Sequence, residues 1–116
     1  MQEIFIVSLY SYLLGSIPFG LVLTKVFLNQ DIRKSGSGNI GATNVIRSGN
    51  KYLGLATLIL DGTKGYFAVL VTYKYYPDYF ILSSLMTFIG HIFPIWLRFK
   101  GGKGVATYLG ILFCIN

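Results

Sequence analysis

Ile4-Phe-Ile-Val-Ser-Leu-Tyr-Ser-Tyr-Leu-Leu-Gly-Ser-Ile-Pro-Phe-Gly-Leu-Val-Leu-Thr-Lys-Val-Phe-Leu28 decides the fold class. These 25 residues carry one charge, Lys25, near the end of the run. As a helix rising 1.5 Å per residue, the run would measure about 37 Å, enough to cross a hydrocarbon core of about 30 Å with tilt. Within it, Gly15-Ser-Ile-Pro-Phe-Gly20 puts Pro18 mid-helix, where a backbone donor is lost and a kink is expected. An ordinary kink and a functional break both stay open, because membrane bundles tolerate interruptions that neighbours re-satisfy. A secretory leader would need a basic start and a small-residue cleavage site. Glu3 is the only charge before the run and no such site follows, so it reads as a span.

The rest of the chain alternates in the same way. Asn29 to Lys51 is polar, glycine-rich and basic, and Leu53 to Tyr73 is apolar. Lys74 to Asp78 contains Pro77 and reads as a short turn. Tyr79 to Leu97 is the third apolar run, and Arg98 to Gly104 is a second basic loop. Val105 to Ile115 is apolar again, but as a helix it would reach only about 17 Å, half a bilayer. A half-span would leave carbonyls facing lipid, so the expectation is the front part of a longer bundle, with a re-entrant segment as the alternative. The predicted fold is therefore an all-α polytopic membrane bundle. It has three full spans, a truncated fourth and residues 1–116 in one transmembrane domain.

Composition agrees. Of 116 residues, 53% are hydrophobic and 12% charged, about half the charged share of a soluble domain. A net charge of +6 could suit nucleic acid in a soluble protein, but here it marks membrane-flanking loops and phosphate sites. Lys25, Arg33, Lys34, Arg47, Lys51, Arg98, Lys100 and Lys103 lie in or beside the two glycine loops, leaving Lys74 alone at the opposite turn. The positive-inside rule then places both loops in the cytoplasm and the N-terminus outside. Tyr73, Tyr75, Tyr76 and Tyr79 would form an aromatic belt at the outer interface. Cys114 is the single cysteine and His91 the single histidine, with four acidic residues in all. No disulfide, metal cage or cofactor is expected from that set.

The loops carry the chemistry. Gly36-Ser-Gly-Asn-Ile-Gly41 matches the dinucleotide pattern G-x-G-x-x-G, with Asp61 at the usual distance for the ribose acid. The pattern follows a membrane helix rather than a strand, so the match fails. Lys103 is followed by Gly104, not Ser or Thr, which disfavours a Walker-type magnesium-nucleotide site. What remains is general anion chemistry. Gly101, Gly102 and Gly104 would let amides turn toward an anion beside Lys100 and Lys103, with the helix from Val105 aiming its positive end there. A flexible basic turn is the bland alternative. In the first loop Ser37, Asn39, Thr43 and Asn44 offer hydrogen bonds and Arg47 a fork for phosphate. Alternatively, Thr43 or Asn44 simply caps the helix running into Leu53.

Asp61 and Lys64 sit three apart on one helix face, about 12 and 17 Å into their span. Charges at that depth cost on the order of 3 kcal/mol each, so they should face the interior as a structural ion pair, with direct catalysis as the alternative. His91, about 9 Å from the end of its run at Leu97, lies at comparable depth on an antiparallel helix. Asp61 and His91 are expected to approach, which would orient the imidazole. The acyltransferase box of His followed five residues later by Asp is absent, because Trp96 holds that position.

Taken in order, Gly15-Ser-Ile-Pro-Phe-Gly20, Asp31-Ile-Arg-Lys34, Gly36-Ser-Gly-Asn-Ile-Gly-Ala-Thr-Asn44 with Arg47, Leu60-Asp-Gly-Thr-Lys-Gly65, Gly90-His-Ile-Phe-Pro94 and Lys100-Gly-Gly-Lys-Gly-Val-Ala-Thr107 form a set. The set resembles the bacterial membrane acyl-phosphate:glycerol-3-phosphate acyltransferase family over nearly the whole chain. That resemblance implies a seven-helix bundle in the bacterial cytoplasmic (inner) membrane with a cytoplasm-facing site. It implies transfer of an acyl group from acyl phosphate to the 1-hydroxyl of sn-glycerol 3-phosphate, giving lysophosphatidic acid without a cofactor or protein nucleophile. An upstream enzyme forming acyl phosphate would be a partner, and nucleic acid would not. By the resemblance, Ser37 and Arg47 contact the glycerol phosphate and Lys103 sits between the two phosphates. Thr43, Asn44 and the Gly101 and Gly102 amides hold the acyl phosphate. Asn39, Lys100 and Gly104 join the binding set, and Asp61, Lys64 and His91 give polar support.

One departure stands out. The family's third motif, with a histidine and an asparagine, has no match after Gly104, so the chain is expected to be a poorly active or inactive fragment. A membrane carrier for a phosphorylated metabolite, or an accessory subunit, is the competing reading.

Overall fold

The computed structural model describes residues 1–48 and 50–115. Six α-helices occur among them: α1 Gln2–Gly15, α2 Phe19–Leu28, α3 Ala42–Arg47, α4 Lys51–Tyr75, α5 Phe80–Ile92 and α6 Val105–Ile115. Single 3-10 turns cover Ile32–Lys34, Pro77–Tyr79 and Ile95–Leu97. No strand occurs among the described residues. Three segments are long and apolar enough to cross a membrane: Gln2–Leu28, Lys51–Tyr75 and Pro77–Leu97. The 11-residue α6 is apolar but shorter than a span.

The first span is broken rather than kinked. Pro18 has no N–H to continue the ladder, and α1 ends at Gly15 before α2 begins at Phe19. The gap is tied down from outside. The Ser16 hydroxyl donates to the Leu13 carbonyl at 2.7 Å and accepts the Trp96 indole N–H at 2.9 Å. The Ile17 carbonyl accepts from the Lys64 ammonium at 2.8 Å.

The third span also departs from the hydropathy reading. Apolar residues run on to Leu97, but α5 stops at Ile92, because the residue before Pro94 is forced out of the helical region. His91 therefore lies in the last turn of α5, not about 9 Å inside a longer helix. A second correction concerns capping. Neither Thr43 nor Asn44 caps the helix into Leu53. Asn50 does, its side chain accepting the Leu53 N–H at 2.9 Å, and α3 is a separate short helix.

Helix α4 is the centre of the bundle and packs against every other helix. Its surroundings are inverted relative to a soluble core. Ser11, Thr24, Thr57, Thr72, Ser83, Thr87 and Thr107 are buried, while Phe5, Ile59, Phe67 and Phe113 face outward. Lipid tails remove the hydrophobic drive between helices, so small residues and hydrogen bonds hold them instead. Ser11 and Ser83 pair at 2.7 Å between α1 and α5, and Tyr10 pairs with Thr72 between α1 and α4. A methyl group on Gly15 would strike the Thr87 carbonyl, and one on Gly110 the Gly62 carbonyl. These glycines allow α1 to cross α5, and α6 to cross α4, at backbone contact.

Candidate active site

The first loop is built around Asn44, which is 2% exposed. Its carboxamide nitrogen donates to the carbonyls of Ile32 (3.2 Å), Ser35 (2.9 Å) and Asn39 (2.8 Å). Its oxygen accepts the Ser37 N–H at 3.2 Å. Gly36 and Gly38 turn the chain with φ of 54° and 77°, a region that disfavours other residues. Asn39 accepts the Gly41 N–H at 2.7 Å, which starts α3. Below the loop, Ile32, Ile40 and Val45 pack with Leu21 and Leu97. Asn44, expected among the ligand contacts, thus has its hydrogen-bonding capacity engaged by the loop itself.

Asp31 caps the turn before this loop and holds Arg33 through two side-chain bonds of 3.0 and 2.8 Å. The guanidinium keeps the Asp31 carboxyl well below the usual carboxylate range. Arg33 is therefore paired, whereas neither Arg47 nor Lys103 has an ion-pair partner among the described residues.

The second loop folds back on the end of α5. Phe99 N–H donates to the Pro94 carbonyl at 2.9 Å, Gly101 N–H to Ile92 at 2.8 Å and Gly102 N–H to His91 at 3.2 Å. The Gly101 and Gly102 amides were expected to face an anion, and in this structure they face carbonyls. The amides with no such acceptor among the described residues come later. The first helical bond of α6 is Tyr108 N–H to the Gly104 carbonyl, so the N–H groups of Val105, Ala106 and Thr107 precede it.

Between the loops lies a pocket of about 250 Å³. Ser37, Asn39, Thr43, Asn44 and Arg47 line it from the first loop and α3. Lys103, Gly104, Val105 and Ala106 line it from the second loop and the start of α6. Asp61 and His91 close its floor. Of the expected binding residues, Lys100, Gly101 and Gly102 are not in the lining. Leu58 and Ala106 also line it and were missed, although Leu58 lies three residues before Asp61 on the same helix face. The same two residues border an apolar groove of about 530 Å³ between α4 and α6, lined further by Ile59, Tyr66, Leu109 and Phe113. A polar pocket and an apolar groove thus share a wall.

Lys64 stands behind the pocket, 4% exposed. Its ammonium meets the Ile17 carbonyl at 2.8 Å, His91 Nδ1 at 2.8 Å and Asp61 Oδ1 at 3.3 Å. Asp61 Oδ1 makes no hydrogen bond among the described residues. The expected approach of Asp61 to His91 takes an indirect form: both reach the pocket, and Lys64 joins them. Lys64, not Asp61, orients the imidazole.

A model of the glycerol-3-phosphate acyltransferase family matches residues 5–116. The chain belongs to this family. A glycerol-3-phosphate acyltransferase of Pelagibacter ubique (strain HTCC1062) is 67% identical over 115 residues, 99% of this chain and 60% of the relative. One from Mesorhizobium japonicum is 60% identical over 103 residues, 89% of this chain and 53% of the relative. Two crystal structures of PlsY (YgiH), an integral membrane glycerol 3-phosphate acyltransferase, superimpose closely. The glycerol 3-phosphate form has a TM-score of 0.91 at 39% identity, covering 98% of this chain and 58% of that one. The lysophosphatidic acid form has a TM-score of 0.87 at 38% identity, covering 98% and 57%. The chain therefore spans between half and three fifths of the length of these family members. It shares their all-α, multi-pass membrane fold.

Proposed function

We propose that these residues form the phosphate-handling part of an acyltransferase. The enzyme would move an acyl group from acyl phosphate to the 1-hydroxyl of sn-glycerol 3-phosphate. The observation that carries the reading is the shared wall: Arg47 and Lys103, without an ion-pair partner among the described residues, line a pocket that shares Leu58 and Ala106 with an adjoining apolar groove. A phosphate ester with a fatty chain needs both environments side by side.

In this reading Arg47 and Ser37 hold the glycerol phosphate, with Arg47 as a planar fork. Lys103 lies between the two phosphates, assisted by the free amides at the start of α6. Thr43 and Asn39 complete the polar wall, and Asn44 serves by holding the loop. The acyl chain runs along the groove between α4 and α6. The glycerol hydroxyl oxygen bonds to the acyl carbonyl carbon, and the carbon–oxygen bond to phosphate breaks. Inorganic phosphate leaves, and the hydroxyl proton passes to a phosphate oxygen. Positioning and positive charge supply the catalysis, since phosphate is already a good leaving group. Acyl phosphate is a reactive anhydride, so an enzyme that forms it would act upstream. Eight of the ten basic residues gather at the pocket end of the bundle, which supports a cytoplasmic site in the bacterial inner membrane. The matched share of the relatives' length supports a larger bundle in which a third segment completes the glycerol-phosphate site.

The test gives the full-length protein labelled glycerol 3-phosphate with either acyl phosphate or acyl-CoA. Lysophosphatidate formed from acyl phosphate alone is the expected result. Absence of product with both donors would sink the reading.

A further inference from the structure

The Lys64 cluster has more content than a structural ion pair. An ammonium has three N–H donors and no acceptor. Lys64 hydrogen-bonds two groups, the Ile17 carbonyl and His91 Nδ1, and stands 3.3 Å from Asp61 Oδ1 as an ion pair. Nδ1 must therefore offer its lone pair, and the ring proton lies on Nε2.

The surroundings of Nε2 give that proton a direction. A methyl group on Gly102 would come 2.5 Å from Nε2, so the bare glycine backbone packs close to this edge of the ring, and any larger residue there would collide with it. Gly102 N–H bonds to the His91 carbonyl at 3.2 Å, locking ring and loop in register. His91 lines the pocket beside Lys103 and Gly104, while Lys64 is sealed behind it. Nε2 has no bond to another side chain or carbonyl among the described residues.

We infer that Lys64 is a positioning residue that holds His91 as its Nε2–H tautomer, so that the imidazole donates a hydrogen bond to the phosphate held at Lys103. The identity of that phosphate as acyl phosphate rests on the reading above; the tautomer and its donor role do not.

Imidazole-15N spectra of the full-length protein in nanodiscs, with the His91 signals assigned by their loss in His91→Gln, report this ring. The expected spectrum shows a protonated Nε2 and an unprotonated Nδ1, with Nε2 shifting as inorganic phosphate is added. In Lys64→Met the preference and the phosphate response are both lost. A protonated Nδ1 in the wild-type chain would overturn the inference, as would an Nε2 signal indifferent to phosphate. A Lys64→Met spectrum with the same tautomer would reduce Lys64 to a structural role and refute its positioning. In the full-length enzyme, His91→Gln can place an amide N–H near the Nε2 position, whereas His91→Asn is too short. His91→Gln should keep turnover within about threefold, and His91→Asn should raise KM for acyl phosphate about tenfold. Equal losses would count against the donor role. Absence of all turnover in the parent enzyme, with the tautomer and phosphate response intact, would instead remove the acyltransferase reading and leave this one standing.

Discussion

The first glycine loop is held by a side chain, and the second by its own backbone. Asn44 reaches three carbonyls and one amide of residues 32–39 and is buried at their centre. Residues 99–102 instead hand their amides to Pro94, Leu97, Ile92 and His91 at the end of α5. The difference teaches which residues hold the loops and which line the pocket. In the first loop a polar residue pointing inward is scaffold, and its neighbours Ser37 and Arg47 face the pocket. In the second the glycines are scaffold, and Lys103 with the start of α6 faces the pocket.

Lys103→Ala tests that division most severely. It removes a pocket cation without touching a bond that holds either loop. Turnover in the full-length enzyme should fall by about 10²-fold or more, with membrane insertion and thermal midpoint unchanged. A variant that loses stability along with activity would show Lys103 to be scaffold after all.

Asn44→Ala should act through stability. It leaves three carbonyls and an amide without their partner, a loss of about 2–4 kcal/mol in all. Thermal unfolding in detergent should report it, and proteolysis should find residues 35–41 first. If the midpoint holds while KM alone rises, Asn44 is a ligand contact rather than the loop's organiser.

Gly101→Ala gives the counterpart for the second loop. The added carbon would strike the His91 carbonyl and come 2.5 Å from Pro94 Cδ. Backbone must move, at a cost of about 1–3 kcal/mol. The damage should stay local: cleavage near residues 98–104 should quicken while the first loop keeps its protection. Equal damage to both loops would mean that they are one cooperative unit.

Much of this is legible in the amino-acid sequence. Hydropathy located the three spans, and Pro18 marked the break, because a missing N–H and a 30 Å apolar thickness act locally along the chain. The Asp61–Lys64 pair followed from spacing on one helix face. The end of α5 was placed five residues too late, because composition stays apolar to Leu97 while Pro94 ends the helix geometry. Asn44 could not be told from Asn39 or Thr43, since a loop residue's inward or outward direction leaves no periodic trace.

The amino-acid sequence by itself determined an all-α membrane chain with two basic glycine loops at one end, through apolar length and charge placement. Only the tertiary structure decided which groups in those loops are free. The Gly101 and Gly102 amides are engaged because α5 ends beside them. Lys64 commands His91 because the broken first span brings the Ile17 carbonyl to the same ammonium. Hydrogen-bond partners 27 and 47 residues apart are chosen by packing, and no local pattern encodes that choice.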